Sequence, residues 1–308
     1  MNTLAAYLIV IAVWATTPLG IKWSGEALPA FAAAGGRMAL AALLGVLWLL
    51  ARRQGLPLHR RALASYGAAL PGIFGAMGCS YMAARDLPSG LISVVFGMAP
   101  LISGVMLLAV RGGARFNAWH WLACLLGLAG LALVFGDGLT ALGRGGDAAL
   151  EGRVRGMLWI LAAVSLFALS GIVVQRVGAG LAPMQQTVGG LIGSLPLYGL
   201  AMLITGQGVQ WSGDVRGLGA IVYLAVFGSL VGFYCYFLVL TRLPAATVAL
   251  VTLITPVLAL SLGAGLNGEQ LGPRVLAGAA VIVAALGLYL FGDRRVRRQV
   301  VSATVGDG

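Results

Sequence analysis

Charge is what this chain has least of. Asp, Glu, Lys and Arg make up 9% of its 308 residues, against about 25% in a soluble domain. So small a share cannot coat a water-facing surface. Lysine occurs once, as Lys22. A phosphate-binding Walker loop needs a Lys after a Gly, and Lys22 follows Ile21, so an ATP-driven pump in this chain is excluded. The three cysteines, Cys79, Cys124 and Cys235, are odd in number and lie in apolar runs. They read as small packing residues rather than disulfide partners. The two histidines, His59 and His120, sit in or beside a loop and form no cluster that would hold zinc. The nine carboxylates all fall in loops, at the ends of apolar runs or in the tail. Paired carboxylates for acid–base chemistry are missing, as is a Ser–His pair on facing runs. The chain therefore does not read as an enzyme, and no metal or cofactor is expected. No basic stretch precedes the first apolar run, and that run is long enough to stay in a bilayer rather than be cleaved as a leader.

Apolar residues are abundant. They are 60% of the chain, and the mean hydropathy is +0.97. The runs are unbroken and about 20 residues long, the length of a membrane-crossing helix. A barrel would instead show roughly ten-residue alternating segments. Ten spans are expected, at 4–22, 29–50, 65–84, 88–110, 117–136, 156–177, 183–205, 216–240, 244–265 and 273–291. The fold class is an all-α polytopic membrane protein. The net charge of +11 is no nucleic-acid signal, because the cations sit in short loops between spans, where they orient helices.

One stretch is used twice. Leu87-Pro88, Pro100 and Phe135-Gly136-Asp137 return 156 residues later as Leu243-Pro244, Pro256 and Phe291-Gly292-Asp293. Gly72 and Cys79 match Gly228 and Cys235 at the same spacing, and Trp14-Ala15 matches Phe167-Ala168 at 153. The duplication divides the chain into a first five-helix repeat (1–137), a periplasmic linker (138–155), a second repeat (156–293) and a basic, then polar, cytoplasmic tail (294–308). With the N-terminus inside, twelve cations fall in inner segments and seven in outer ones, which puts both termini in the cytoplasm. Five spans per half is an odd number, so the second half is inverted relative to the first. Inverted repeats support alternating access around a midplane site.

Prolines mark where that site should be. Pro18, Pro100 and Pro256 each remove a backbone hydrogen bond in mid-span. Pro100 and Pro256 are repeat mates and are expected as hinges, with Pro18 as a third. Aromatic and hydroxyl side chains gather near them: Trp14, Thr17, Tyr81, Ser93, Phe96, Trp159, Ser165, Tyr234, Thr252 and Thr255. Such a set suits a small, partly apolar solute. Arg37 is the one charge well inside a span. Two readings compete for it: a contact for a substrate anion, or a topology anchor that caps carbonyls and snorkels outward. Lys22, at the end of the first span, carries the same pair of readings. Gly189 and Gly193 are spaced for close helix approach, as are Gly228 and Gly232.

Trp14 through Lys22, Arg37-Met38, and Leu243-Pro244-Ala245-Ala246 through Pro256, Gly268-Glu269, Gly278 and Gly287 together resemble the drug/metabolite transporter superfamily, EamA type. The first half departs from that pattern, with Gly112-Gly113 where its mate has Gly268-Glu269. Within the family, length and the aromatic cluster look most like the YddG-type amino-acid exporters. The resemblance implies secondary export of neutral or aromatic amino acids across a bacterial inner membrane. Its alternatives are export of other metabolites or drugs, such as nucleosides and sugars, and a non-transporting membrane scaffold. The implied partners are a small-molecule substrate and the lipid bilayer, with no nucleic acid, and the chain is a monomer or a weak homo-oligomer.

Overall fold

The structure is a computed structural model that describes the backbone of residues 2–109, 116–141, 148–242 and 245–306. Among these residues every regular element is helical. Side chains of 135–141, 148–150, 240, 245–250, 252–253 and 293–306 lie outside the description, as do Gly112-Gly113 and Leu243-Pro244. A bilayer offers no water to backbone groups, so a helix, which pairs them within itself, is the element these apolar runs must form. Local chemistry sets the ends. Asn2 caps α1 (Thr3–Ala27). His59 Nδ1 accepts from Ala62 N–H (3.3 Å) to start α3 (Arg60–Leu70). Asp214 accepts from the N–H groups of Arg216 and Gly217 to start α10 (Val215–Tyr223). α9 (Pro183–Thr205) stops at Gly206, whose φ of 64° an L side chain would resist.

Eight described helices are long and apolar enough to cross a membrane: Thr3–Ala27, Ala30–Ala51, Arg60–Ala84, Ser89–Leu108, Glu151–Val177, Pro183–Thr205, Val215–Val239 and Pro273–Gly292. Two shorter apolar stretches, Ala118–Val134 and Ile254–Asn267, lie within α7 (Ala118–Ala141) and α12 (Ala245–Asn267). Helix reaches into the expected linker from both sides, through Ala141 and again from Ala148 at the start of α8 (Ala148–Val177).

Three interruptions divide the spans, and only the one beside Pro100 carried a signal in the sequence. The third and eighth spans each contain a wider π turn, at Pro71–Ala76 and Leu224–Val231. These hold the repeat mates Gly72 and Gly228. A π turn frees carbonyls, and neighbouring helices take them up. Tyr198 of α9 donates to the Ile73 carbonyl (2.8 Å), and Ser170 of α8 donates to that of Ala68 (2.9 Å). The fourth span is broken into α5 (Ser89–Phe96) and α6 (Ala99–Leu108) by a turn at Gly97-Met98, with Pro100 in the first turn of α6. Its mate Pro256 sits inside the unbroken α12. The two prolines therefore occupy different backbones.

Packing is close where residues are small. Gly189 lies under the Tyr66 ring, and a Cβ on Gly190 would meet Ile73 Cδ1 at 2.6 Å. α7 and α13 (Pro273–Gly306) touch backbone to backbone. A Cβ on Gly278 would stand 2.7 Å from the Gly130 carbonyl, and one on Gly130 would stand 2.9 Å from that of Gly278. The main core joins both halves, with Met38, Tyr81 and Val94 beside Ile160, Leu191 and Leu224. Large apolar side chains point outward as well, Leu203 at 81% exposure and Leu125 at 63%, as lipid-facing positions require.

Candidate functional site: a central cavity between the halves

One cavity lies at the centre, walled by side chains of both halves. α1 gives Trp14, Thr17, Pro18 and Ile21. α2 (Ala30–Ala51) gives Arg37, α4 (Met77–Ala84) gives Met77 and Ser80, and the broken span gives Ile92, Ser93, Phe96 and Ala99. The second half adds Phe167 of α8, Gly228 of the π turn, Phe233 of α11 (Gly232–Arg242) and Thr255 of α12. The cavity encloses about 80 Å³, room for a few waters. Pockets for drug-sized ligands run to roughly 300–1,000 Å³.

Aromatic rings close one side. Trp14 meets Phe167 edge-on (5.7 Å) and Tyr236 at a tilt (5.2 Å), and Phe96 also meets Phe167 edge-on (6.0 Å). Phe167 and Phe233 separate the cavity from a chamber of about 10 Å³. Val174 and Phe237 separate that chamber from a vestibule of about 270 Å³ near Ser65, Gln175 and Gln186. At the opposite end, Ile21 and Ser80 line the cavity. Their neighbours Lys22 and Tyr81 line a second vestibule, of about 480 Å³.

Two of the hydroxyls are engaged locally. Thr17 Oγ1 donates to the Val13 carbonyl (2.7 Å) and Ser80 Oγ to that of Ala76 (2.7 Å). Arg37 is 1% exposed. Its Nε donates to Ser229 Oγ (2.8 Å), while Nη1 is buried without a hydrogen-bond partner. Ser229 Oγ in turn faces Met38 Sδ (3.6 Å). Gly228 leaves room beside Arg37, since a Cβ there would sit 3.0 Å from Nη2.

The Lys22 end is tied across the two halves. Lys22 Nζ donates to the carbonyls of Ala84 (2.8 Å) and Leu87 (3.4 Å), so it finishes the carbonyl end of α4. Trp23 Nε1 donates to Asn267 Oδ1 (2.9 Å). Glu269 Oε1 and Oε2 accept from the N–H groups of Ser89 (2.9 Å) and Gly90 (3.1 Å), the first turn of α5. Asn267 Nδ2 adds a third donor (3.1 Å). Burial disfavours the Glu269 carboxylate, but these donors outweigh it and hold its pKa below the ordinary value of 4.5. Two ion pairs, Arg155–Asp86 (2.8 Å) and Arg216–Glu26 (2.7 Å), lie on the same rim.

Of the residues singled out in sequence, Trp14, Thr17, Pro18, Arg37, Ser93, Phe96 and Thr255 are brought together at the cavity. Tyr81 is not in that wall; it shares a hydrogen bond with Ser24 Oγ (3.1 Å) and faces the Lys22 vestibule. Trp159 packs on the main core, and Tyr234 on smaller clusters beside α1 and α9. Ser165 is half-buried and away from the wall, and Pro100 and Pro256 do not line it. The side chain of Thr252 lies outside the described residues. Sequence reasoning did not single out Phe167 and Phe233 for the site. Phe167 carried a signal, since it is the repeat counterpart of Trp14; Phe233 carried none.

A helical membrane bundle with a cavity walled by helices from both ends of the chain, and a vestibule on either side of it, is the build of a small-molecule transporter. Comparison with known proteins agrees. The model of the EamA-like transporter family matches residues 2–136 and again 154–291, and the chain belongs to that family. The two matches leave only residues 137–153 between them. YedA, an uncharacterized inner membrane transporter of Escherichia coli (strain K12), is 28% identical over 94% of this chain and 92% of its own length. The uncharacterized transporter YwfM of Bacillus subtilis (strain 168) is 26% identical over 63% of this chain and 61% of its own. The uncharacterized transporter sll0355 of Synechocystis is 26% identical over 67% and 64%. One solved crystal structure superimposes with a TM-score of 0.66 over 95% of this chain and 98% of its own, at 20% identity, which shows the shared fold.

Proposed function

We propose that this protein is a secondary transporter of the inner membrane that exports neutral or aromatic amino acids, or similar small metabolites, by alternating access. The observation that carries this reading is the cavity itself. Its aromatic faces and few hydroxyls suit a partly apolar solute, and both halves build it. At about 80 Å³ it has to widen before a solute fits. The vestibules at either end supply the two directions of approach.

In this reading ten helices cross the membrane as two inverted five-helix repeats, with both termini in the cytoplasm. The excess of arginine at the end marked by Arg52, Arg53, Arg60, Arg61, Arg176 and Arg242 makes that end cytoplasmic. The Lys22 end is then periplasmic. The break at Gly97-Met98 and the π turns are where the fourth, third and eighth spans yield. Proteoliposomes test the function. Radiolabelled phenylalanine, tryptophan, methionine and threonine should move without ATP, and Trp14→Ala should slow them at least tenfold while the variant stays folded. No movement across a broad panel of amino acids and metabolites refutes the proposal.

A further inference from the structure

The aromatic wall of the cavity suits the apolar body of a solute; the polar end is set by Arg37. This guanidinium is fully buried, and its direction is fixed by the bond from Nε to Ser229 Oγ. Nη1 has no hydrogen-bond partner. Among the described residues no carboxylate lines the cavity, and the two described ion pairs lie on the rim of the Lys22 end. A buried, unpaired charge is among the most costly groups a fold can hold, and it marks a place where a counter-charge arrives. A guanidinium presents a planar fork that suits a carboxylate far better than it suits a neutral or cationic group. Nothing of opposite sign is offered to an ammonium. Thr17 and Ser80 have given their hydroxyl hydrogens to their own helices, so they present only neutral oxygen lone pairs.

Resting on the transporter reading, we infer that the acid group is the end this site recognises. Its substrates are organic carboxylates with an apolar body, and an α-amino group is tolerated rather than required. Arg37 receives the carboxylate at Nη1, and the body lies against Phe96, Phe167 and Trp14.

Three probes that share one phenyl body decide it: 3-phenylpropanoate (acid only), phenylalanine (acid and amine) and 2-phenylethylamine (amine only). Uptake into proteoliposomes at pH 7, less the leak into protein-free vesicles, is measured beside the melting temperature of the detergent-purified protein with each probe. The acid and the amino acid are expected to move at rates within about threefold of each other and to raise the melting temperature. The amine is expected to do neither. Arg37→Gln should lose both responses at least tenfold, Arg37→Lys should keep part of them, and Ser229→Ala, which retains the charge but frees Nε, should weaken them several-fold. The inference is overturned if the amine moves as well as the acid, or if a folded Arg37→Gln or Ser229→Ala protein handles the acid normally; the transporter reading then stands. If the acid stabilises the wild type but not Arg37→Gln, yet no solute crosses the vesicle membrane, recognition by Arg37 is upheld and the transport reading fails.

Discussion

Replacing Glu269 by Gln should loosen the Lys22 end of the bundle. The carboxylate accepts two N–H groups of the α5 first turn, at 2.9 and 3.1 Å, and a third donor from Asn267. Hydrogen bonds to a charged group contribute about 1.5–3 kcal/mol each, and an anion at a helix N-terminus adds about 0.3–1 kcal/mol. Gln keeps one acceptor, turns the other position into a donor aimed at an N–H, and removes the charge. Glu269 is half-exposed, so water replaces part of what is lost and screening trims the rest. A net loss of about 1.5 kcal/mol remains, roughly a tenfold shift toward the state open at that end. The reporter is a single cysteine at Ile21, which lines the cavity and is 2% exposed, in a background with Cys79, Cys124 and Cys235 replaced. A membrane-impermeant maleimide added from the Lys22 side should label it about ten times faster in Glu269→Gln than in the parent. Equal rates within twofold would refute the latch. Because the folded pKa is lowered, the latch is fully present above 4.5 and is lost only as pH falls through that depressed value. Taken as a ratio to Glu269→Gln at the same pH, which cancels the thiol's own titration, labelling of the parent should therefore be flat near neutrality and rise toward one in acid.

Three further outcomes are expected. Tyr198→Phe removes the buried donor to the Ile73 carbonyl in the first π turn. It should cost about 1–3 kcal/mol, read as a lower melting temperature and, if that turn serves transport, a lower rate. Gly278→Ala drives a Cβ to 2.7 Å from the Gly130 carbonyl. Since backbone cannot swing aside as a side chain can, it should destabilise by about 1–3 kcal/mol, whereas Gly287→Ala, with open space around it, should leave the melting temperature unchanged. Gly228→Ala places a methyl 3.0 Å from Arg37 Nη2. It should weaken carboxylate binding several-fold with little loss of stability, and unaltered binding would show that the guanidinium has room to move.

Eight of the ten expected spans fall in helices long and apolar enough to cross a membrane, because apolar length survives divergence. Reading which side chain faces the cavity was harder. In water a helix shows its buried face by polarity; in lipid both faces are apolar, so Trp159 and Ser165 could not be separated from Phe167. The π turns compounded this. Each adds a residue to the turn and rotates the rest of its helix by about 100°. Tyr234 and Tyr236 lie just beyond Leu224–Val231, and only Tyr236 ends up against Trp14. Arg37 was visible as a charge inside a span, but the choice between anchor and anion contact needed its partners: bonded to Ser229 at Nε and unpartnered at Nη1, it does not snorkel. Lys22 shows the opposite outcome, since two carbonyls occupy its ammonium.

The contact of Gly130 with Gly278 has a mechanical consequence. It closes one end of a long seam. Asn117 donates to the Gly292 carbonyl near the other end, and Trp119 meets Phe291 and His120 meets Tyr289 between them. Two helices held along that length behave as one rod. In a transporter built this way, an opening has to come from the other helices moving against the rod, because its two members cannot part without breaking the whole seam.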